Sequence, residues 1–526
     1  MRTTKIERVR GVNDVLPRDC AIARHLENTL RQTFESFGYQ PIDLPLIEYT
    51  ELYLKKSGED IAARLYDFTY RNRRLCLRPE ITASAIRAYI DHLQGESLPV
   101  RLSYSGPAFR YERPQRGRSR QFTQMGIELI GASGTLADAE IVAVACQGLD
   151  RIGLKDYCVS IGNVGLLNQF LENLELENRL QNVLLAHMEL LRKGGRAAIE
   201  QRLQEIYPSL QIEAATADLD ADANRDPAEN ISADPAGNRF AELFQAMQED
   251  EARLAMLQLL ESMNIDIGGN REPEEIVDRL LAKLKRQDRP SRVGQALAFM
   301  EELGQLVGSP AEVLKEANAL LAAYKIETSG LDRLQDTLNN LQFYDLDNSC
   351  ITLDLGLSRG LQYYTGMVFE IHSSQDDERQ LCGGGRYDDL VASFGGRQQT
   401  PATGFSYGLE RLQDALKIAG KDLSIPAPVD ILVVPVGQAD NRYAIGVTEQ
   451  LRQKGLRVAM DVKNRNLSNN FQYANKQGIP FAIVIGPEER TASEVVLKNM
   501  TSGEQQRLPL SGVVEQIYLE RESHAI

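Results

Sequence analysis

YSGPAFRYERPQRGRSRQFTQMGIELIG, Tyr104 to Gly131, decides the fold. An apolar, aromatic run leads into Phe109, and FTQMGIELI alternates out of the other side, so both flanks read as strands. Between them Arg110, Arg113, Arg116, Arg118 and Arg120 face one acid, Glu112. The pattern predicts a hairpin whose long loop aims cations at one spot. Guanidinium groups stay charged and grip phosphate oxygens in a fork, which an ammonium cannot do. Arginine content alone also suits a solvated basic loop.

The wording FRYERPQRGRSRQFTQMGIELIG resembles motif 2 of the class II aminoacyl-tRNA synthetases, in its histidyl-tRNA synthetase version. In that family the hairpin holds ATP, its loop touches the tRNA acceptor end and its second strand lines the histidine pocket. Three further stretches resemble the same family. Around Leu75–Ile90 the phrase RPEIT matches the family's RPEGT, with Ile81 in place of a glycine. SRGLQYYTGMVFE resembles the histidine-specific RGLDYY motif, with Gln362 where an acid is usual. LCGGGRYDDL and TPATGFSYGLERL resemble the GGGRYDGL segment and motif 3. Read locally, Glu80 and Thr82 suit a helix cap, Tyr363 and Tyr364 core aromatics, and Gly383–Gly385 a tight turn.

The resemblance implies an α+β fold: a class II antiparallel sheet with flanking helices, a helical insertion and a C-terminal α/β domain. The expected boundaries are 1–162 and 351–424 for the catalytic core, 163–350 for the insertion and 425–526 for an anticodon-binding-like domain. The implied reaction is activation of L-histidine by ATP, with Mg2+ bridging phosphates, followed by transfer to tRNA(His). By the same resemblance Arg110 and Arg359 stabilise charge on the α-phosphate, and Arg118 and Arg411 the distal phosphates, with Glu112 also on ATP. Glu80, Thr82 and Gln124 hold the substrate amino end. Glu128, Tyr364 and Tyr387 recognise the imidazole, with Tyr363 in the same pocket and Arg359 against the carboxylate. The Ile22–Phe37 helix and the Tyr39–Ile47 stretch resemble motif 1, which implies a homodimer.

The rest of the chain bounds these expectations. Its 526 residues suggest two or three domains, and a net charge of −15 argues against indiscriminate polyanion binding. Six cysteines form no CxxC pair, so neither a protein zinc site nor a disulfide framework is expected. MRTTKIERVRG has no apolar core, and no run reaches the roughly 18 residues a membrane helix needs, so a cytoplasmic location with no membrane partner is expected. Helical patterns dominate 163–347, among them Leu167–Leu174, Arg179–Arg192, Ala241–Met263, Glu274–Leu284, Val293–Val307 and Ala311–Tyr324. Gln211–Asn238, with seven acids and one arginine, reads as a flexible loop. After IPAP, the segments VDILVVPV, LRVAMDV and FAIVIG alternate with helices Arg442–Lys454 and Asn469–Gln477, which predicts a parallel or mixed sheet. That last unit is neutral, with eleven acids and eleven Lys or Arg.

Two other readings stay open on sequence. A noncatalytic relative, the histidine-binding regulatory subunit of ATP phosphoribosyltransferase, shares this fold, although the complete arginine set and the C-terminal domain count against it. A paralogue that activates an amino acid for a non-tRNA acceptor is motivated by Gln362, Ile81, the atypical insertion and the lysine-poor helix LSNNFQYANKQGI.

Overall fold

The computed structural model describes residues 6–55, 63–112, 119–174, 176–207, 253–255, 290–344, 346, 350–358, 363–421 and 427–523. Arg113, Arg116, Arg118, Arg359 and Gln362 lie outside them, as do the acidic stretch 211–238 and the expected helices 241–263, in its greater part, and 274–284. The chain forms two compact units, Met1–Asp422 and Leu423–Ile526.

The first unit is built on a nine-stranded sheet. Its strands, in spatial order, are β1 (Gln40–Pro41), β5 (Val100–Phe109), β6 (Gln121–Ile130), β12 (Ala402–Gly408), β11 (Asp376–Arg386), β10 (Met367–Ser373), β7 (Tyr157–Asn163), β9 (Ile351–Asp354) and β8 (Val307–Gly308). From β5 to β7 every pairing is antiparallel, while β1 with β5 and β7 with β9 are parallel. The β5–β6 hairpin, second and third from one edge, is in continuous register from Val100 opposite Ile130 to Phe109 opposite Gln121, as the period-two alternation requires. A smaller sheet sets β4 (Arg73–Leu77) between β2 (Ile47–Tyr49) and β3 (Tyr66–Tyr70).

One face of the large sheet carries helices. Pro17–Ser36 begins with proline in its first turn, where the missing N–H costs nothing, and buries Leu26, Leu30 and Phe34. Phe34 stacks on Tyr407 with centroids 6.4 Å apart and meets Phe405 edge-on at 6.1 Å. The alanine-rich helix Thr135–Arg151 lies close to the sheet because its contact face is small: the Tyr407 hydroxyl donates to Ala145 O at 2.6 Å, and a Cβ on Gly148 would overlap that hydroxyl.

Within 163–350 the described helices depart in detail from the expected ones. The stretch 179–192 is part of two helices, Asn178–Ala186 and Met188–Ile206, and the second breaks at Gly195, whose φ of 70° only glycine adopts easily. The helix expected to reach Val307 stops at Gln305, because Val307–Gly308 pairs with β9 as an edge strand. Ser329–Leu341 then packs along Thr135–Arg151, and Arg192 donates to Asp354 at the end of β9 at 2.9 Å.

The second unit has strand order β14 (Val458–Met460), β13 (Ile431–Pro435), β15 (Phe481–Ile485), β16 (Glu494–Asn499), β17 (Gln505–Pro509). The three expected strands are parallel, and an antiparallel β16–β17 hairpin that the sequence did not signal extends the sheet. Helices Asn441–Gln453 and Leu467–Lys476 connect the parallel strands. Ile431, Val433, Phe481, Ile483 and Val495 form its core with Val447 and Leu451.

Arg386, at the end of β11, ties the helix layer to the sheet. Its guanidinium is buried and donates to Asp138 at 2.8 Å, to Asp388 at 2.9 Å and to Ala132 O at 3.0 Å. Breaking a buried pair strands the partner charge, so Arg386→Met is expected to lower unfolding free energy by about 3–5 kcal/mol, and Arg386→Met with Asp138→Leu to recover most of that. Urea denaturation of the two variants measures both values.

Candidate active site

The opposite face of the large sheet is lined, along β6, by Gln124, Gly126 and Glu128. Glu128 is fully buried. Tyr104 on β5 donates to its Oε1 at 3.0 Å, and Tyr387, just past β11, donates to its Oε2. On β12 Gly404 stands directly opposite Glu128, and any Cβ there would overlap the carboxylate. Burial pushes the Glu128 carboxyl up to about 8, against the pull of the hydroxyl donors Tyr387, Thr82 and Tyr104.

Tyr363, Tyr364 and Tyr387 close one side. Tyr363 lies 4.8 Å from Tyr364 and 5.5 Å from Tyr387, ring centre to ring centre. A Cβ at Gly385 would strike Met367 O and come within 3.0 Å of the Tyr364 ring, so this glycine serves close approach. The other side is made where β4 passes into the helix Thr82–Ala88. Gln124 Oε1 accepts from Ile81 N at 3.0 Å and its Nε2 donates to Ser406 Oγ at 2.8 Å. Thr82 Oγ1 is 3.5 Å from the Tyr104 hydroxyl.

Glu80 is buried beside this group. Its Oε1 accepts from Ala83 N at 3.0 Å, which caps the helix, whereas its Oε2 is buried and makes no hydrogen bond among the described residues. Burial raises its carboxyl above the usual range, and the nearby Arg110 charge works the other way. A buried carboxylate oxygen without a donor fits an incoming ammonium group. Ile81, where the family has glycine, sits at φ −105° and ψ −25°, which any residue adopts, so the substitution leaves this turn unstrained.

The expected cations differ in their fates. Arg110 donates from Nε to Pro79 O at 2.8 Å and lies over the Phe122 ring at 5.3 Å, which anchors it next to Glu80. Arg411, one turn into the helix Leu409–Ile418, donates to Gln380 O at 2.9 Å. Gln124 pairs with Gly106 on β5 and Gly408 on β12, strands that run in the same direction. Arg110 and Arg411 therefore leave the sheet from the same end, bracketing the start of β6. Glu112 is held by Arg64 at 3.3 Å. Arg120 does not join the expected convergence of five arginines: its guanidinium lies 3.9 Å over Tyr111 and donates to the carbonyls of Glu112 and Arg10. Arg118 and Arg359 lie outside the described residues.

Residues without an assigned role on sequence complete the site. Tyr104 and Ser406 both follow from counting by twos from Glu128 and Gln124 across their strands. Arg78 had no usable signal. It is buried and donates to Pro107 O at 2.9 Å and Leu44 O at 2.8 Å, so it fixes the RPEIT turn against β5.

Ionising Glu128 inside the fold is unfavourable, and an unfolded glutamate ionises near 4.5. Its contribution to stability is therefore complete below about pH 4.5 and is lost as pH rises through about 8. Each tenfold change in an ionisation equilibrium is worth about 1.36 kcal/mol. Ligand-free protein is expected to lose stability between pH 6 and 9 by a few kcal/mol more than Glu128→Gln does. Denaturant midpoints of both proteins across that range test this.

Residues 11–272 and 254–412 match the family model described as Histidyl-tRNA synthetase, and residues 430–518 the one described as Anticodon binding domain. The chain is 32% identical to the curated "Histidine--tRNA ligase" of Methanocaldococcus jannaschii, covering 95% of this chain and 96% of that one. It is 30% identical to the "Histidine--tRNA ligase" of Thermococcus kodakarensis, with 98% of each chain covered. Among solved structures, histidyl-tRNA synthetase from Nostoc sp. PCC 7120 superposes with a TM-score of 0.66 at 22% identity, covering 98% of this chain and all of that one, a likeness of fold. The described site and these matches agree with the expected fold class: the chain belongs to the histidyl-tRNA synthetase family.

Proposed function

We propose that this protein activates L-histidine with ATP to histidyl-adenylate and transfers the histidyl group to tRNA(His). The observation that carries the reading is the buried Glu128 carboxyl group, held by two tyrosine hydroxyls where Gly126 and Gly404 leave it and Tyr104 room. A polar floor of this kind matches an imidazole N–H and rejects side chains that leave it unpaired.

In this reading the ammonium group of histidine meets Glu80 Oε2, with Thr82 and Gln124 beside it. Glu128, Tyr364 and Tyr387 face the ring, and Tyr363 packs behind them. The histidine carboxylate attacks the ATP α-phosphorus in line and pyrophosphate leaves. The protein's task is positioning and charge neutralisation. Arg110 and Arg359 serve the α-phosphate, Arg118 and Arg411 the distal phosphates, and Glu112 the nucleotide. Among the described residues no cluster of His, Cys, Asp and Glu could hold a metal alone. Mg2+ carried on the ATP phosphates would supply further charge neutralisation.

The 163–350 segment is proposed as an insertion on the 1–162 and 351–424 core, and 425–526 as the anticodon-binding unit. A homodimer accounts for exposed Leu46, Ile47, Tyr49, Phe68 and Tyr70 on and beside the small sheet, an apolar group beyond what a free surface usually gathers in one place. The family likeness supports a cytoplasmic site of action; among the described residues no helix is long and apolar enough to cross a membrane.

Pyrophosphate exchange measured with each of the twenty amino acids is expected to respond to histidine alone, and tRNA(His) to be charged. Exchange without charging would point to a different acceptor. Arg110→Ala and Arg359→Ala are each expected to slow exchange about 100- to 1000-fold, as losing a charge-stabilising donor does elsewhere. Normal exchange by either variant would remove that residue from the mechanism.

A further inference from the structure

The N-terminal segment before the first helix makes most of its described polar contacts with the base of the loop in the β5–β6 hairpin. Gly11 O accepts from Arg120 N at 2.8 Å and from Ser119 Oγ at 2.9 Å, and Arg10 O accepts from Arg120 Nη1 at 3.0 Å. Arg120 then reaches the other strand of the hairpin. Its Nε donates to Glu112 O at 3.1 Å, its guanidinium covers the Tyr111 ring, and its carbonyl accepts from Arg110 N at 2.9 Å. One side chain and its peptide thus connect Arg10, Gly11, Arg110 and Glu112.

Gly11 permits this seat. Its φ is +86°, where a side chain is strained, and a Cβ would lie 2.7 Å from Arg120 Cδ and 2.9 Å from Cγ. The segment itself is exposed on its outer side, with Arg8, Val9 and Arg10 open to solvent. Burial of apolar surface therefore contributes little to holding it, and the directed hydrogen bonds to carbonyl oxygens do most of that work. Arg120 is a poor candidate for phosphate contact, because two of its guanidinium nitrogens are committed to protein carbonyls.

We propose that residues 10–12 form a strap across the hairpin root, and that Arg120 is a positioning residue through which the strap fixes Arg110 for adenylate formation. This rests on the histidine-activating reading above. Arg110 is held at its backbone by Arg120 O and at its Nε by Pro79 O, so its charge is aimed from two directions. Removing the first leaves the guanidinium near Glu80 but no longer set by the hairpin. The histidine side of the site, made by Glu128, Tyr104 and Tyr387, does not depend on the strap.

The test compares wild type, Gly11→Ala, Arg120→Lys and, as a control, Gly95→Ala, whose added Cβ meets nothing within 4 Å. Two measurements are made on the full chain: amide hydrogen exchange of peptides spanning 108–112, and histidine-dependent pyrophosphate exchange. In Gly11→Ala the amide of Arg110 is expected to exchange at least tenfold faster, with peptides from β12 unchanged. The kcat for exchange is expected to fall at least tenfold, with KM for histidine within twofold of wild type. Arg120→Lys is expected to behave like Gly11→Ala, because a point charge restores neither the fork nor the ring contact. Gly95→Ala is expected to match wild type in both. Unchanged hydrogen exchange in Gly11→Ala would overturn the strap. Faster hydrogen exchange with wild-type kcat would overturn its role in the reaction, as would an Arg120→Lys enzyme of normal rate. A wild-type protein without histidine-dependent exchange would instead sink the functional reading and with it the strap's catalytic role, while hydrogen exchange still decided the strap itself.

Discussion

A carboxylate buried in the middle of a sheet constrains much of what surrounds it. Glu128 is out of water, and an unpaired charge there would cost far more than a fold can spare. Tyr104 and Tyr387 reach it from two different strands and supply hydroxyl donors, which is tolerable because both hydroxyls would otherwise be buried without partners as well. The donors in turn need room. Gly126 gives space to the Tyr104 hydroxyl and Gly404 to the carboxylate itself, so neighbouring strands approach the site without side chains of their own. A sheet cleared on one face must find its cohesion on the other. There Phe34, Phe405 and Tyr407 interlock beneath a helix of small residues. The polar cluster around Glu128 and the alanine-rich helix are two consequences of one constraint.

The arginines divide by the same logic of partners. Arg386 is buried against Asp138 and Arg78 against the carbonyls of Leu44 and Pro107, while half-buried Arg120 binds those of Arg10 and Glu112. These guanidiniums act as rigid multi-donor braces, which their planar fork suits better than a lysine ammonium would. Arg110 and Arg411 each donate to a carbonyl, of Pro79 and Gln380, at the strand ends where the sheet opens. The braces hold the backbone from which the second group projects.

This division explains what could be read from the chain. The hairpin was legible because alternation with period two determines face and register together, and the turn between GIELI and its partner strand left no competing pairing. Glu128 and Gln124 could be placed by the same counting. The partners of a guanidinium are not legible in that way. Arg120 and Arg110 look alike in the sequence, and what separates their guanidiniums is a carbonyl of Arg10, more than a hundred residues away, which accepts from Arg120 Nη1. Val307–Gly308 escaped for a different reason: two residues carry no periodicity, and their strand character comes wholly from pairing with β9. The β16–β17 hairpin followed a unit already complete as β-α-β-α-β, so nothing in the local pattern demanded it.

The second unit shows how a neutral domain on an acidic chain can still be built to meet a nucleic acid. With a net charge of −15 the whole protein repels a polyanion at long range, and the unit has no surplus of cations to reverse that. Its cations are instead paired with rings and acids. Arg465 lies 4.6 Å over Tyr473 while binding Asp461, and Lys498 lies 5.1 Å over Phe471. A cation held over an aromatic ring on the helix Leu467–Lys476 keeps its charge and adds a flat apolar surface beside it. Such a surface suits unstacked bases, whose faces bind rings and guanidinium planes whatever their sequence.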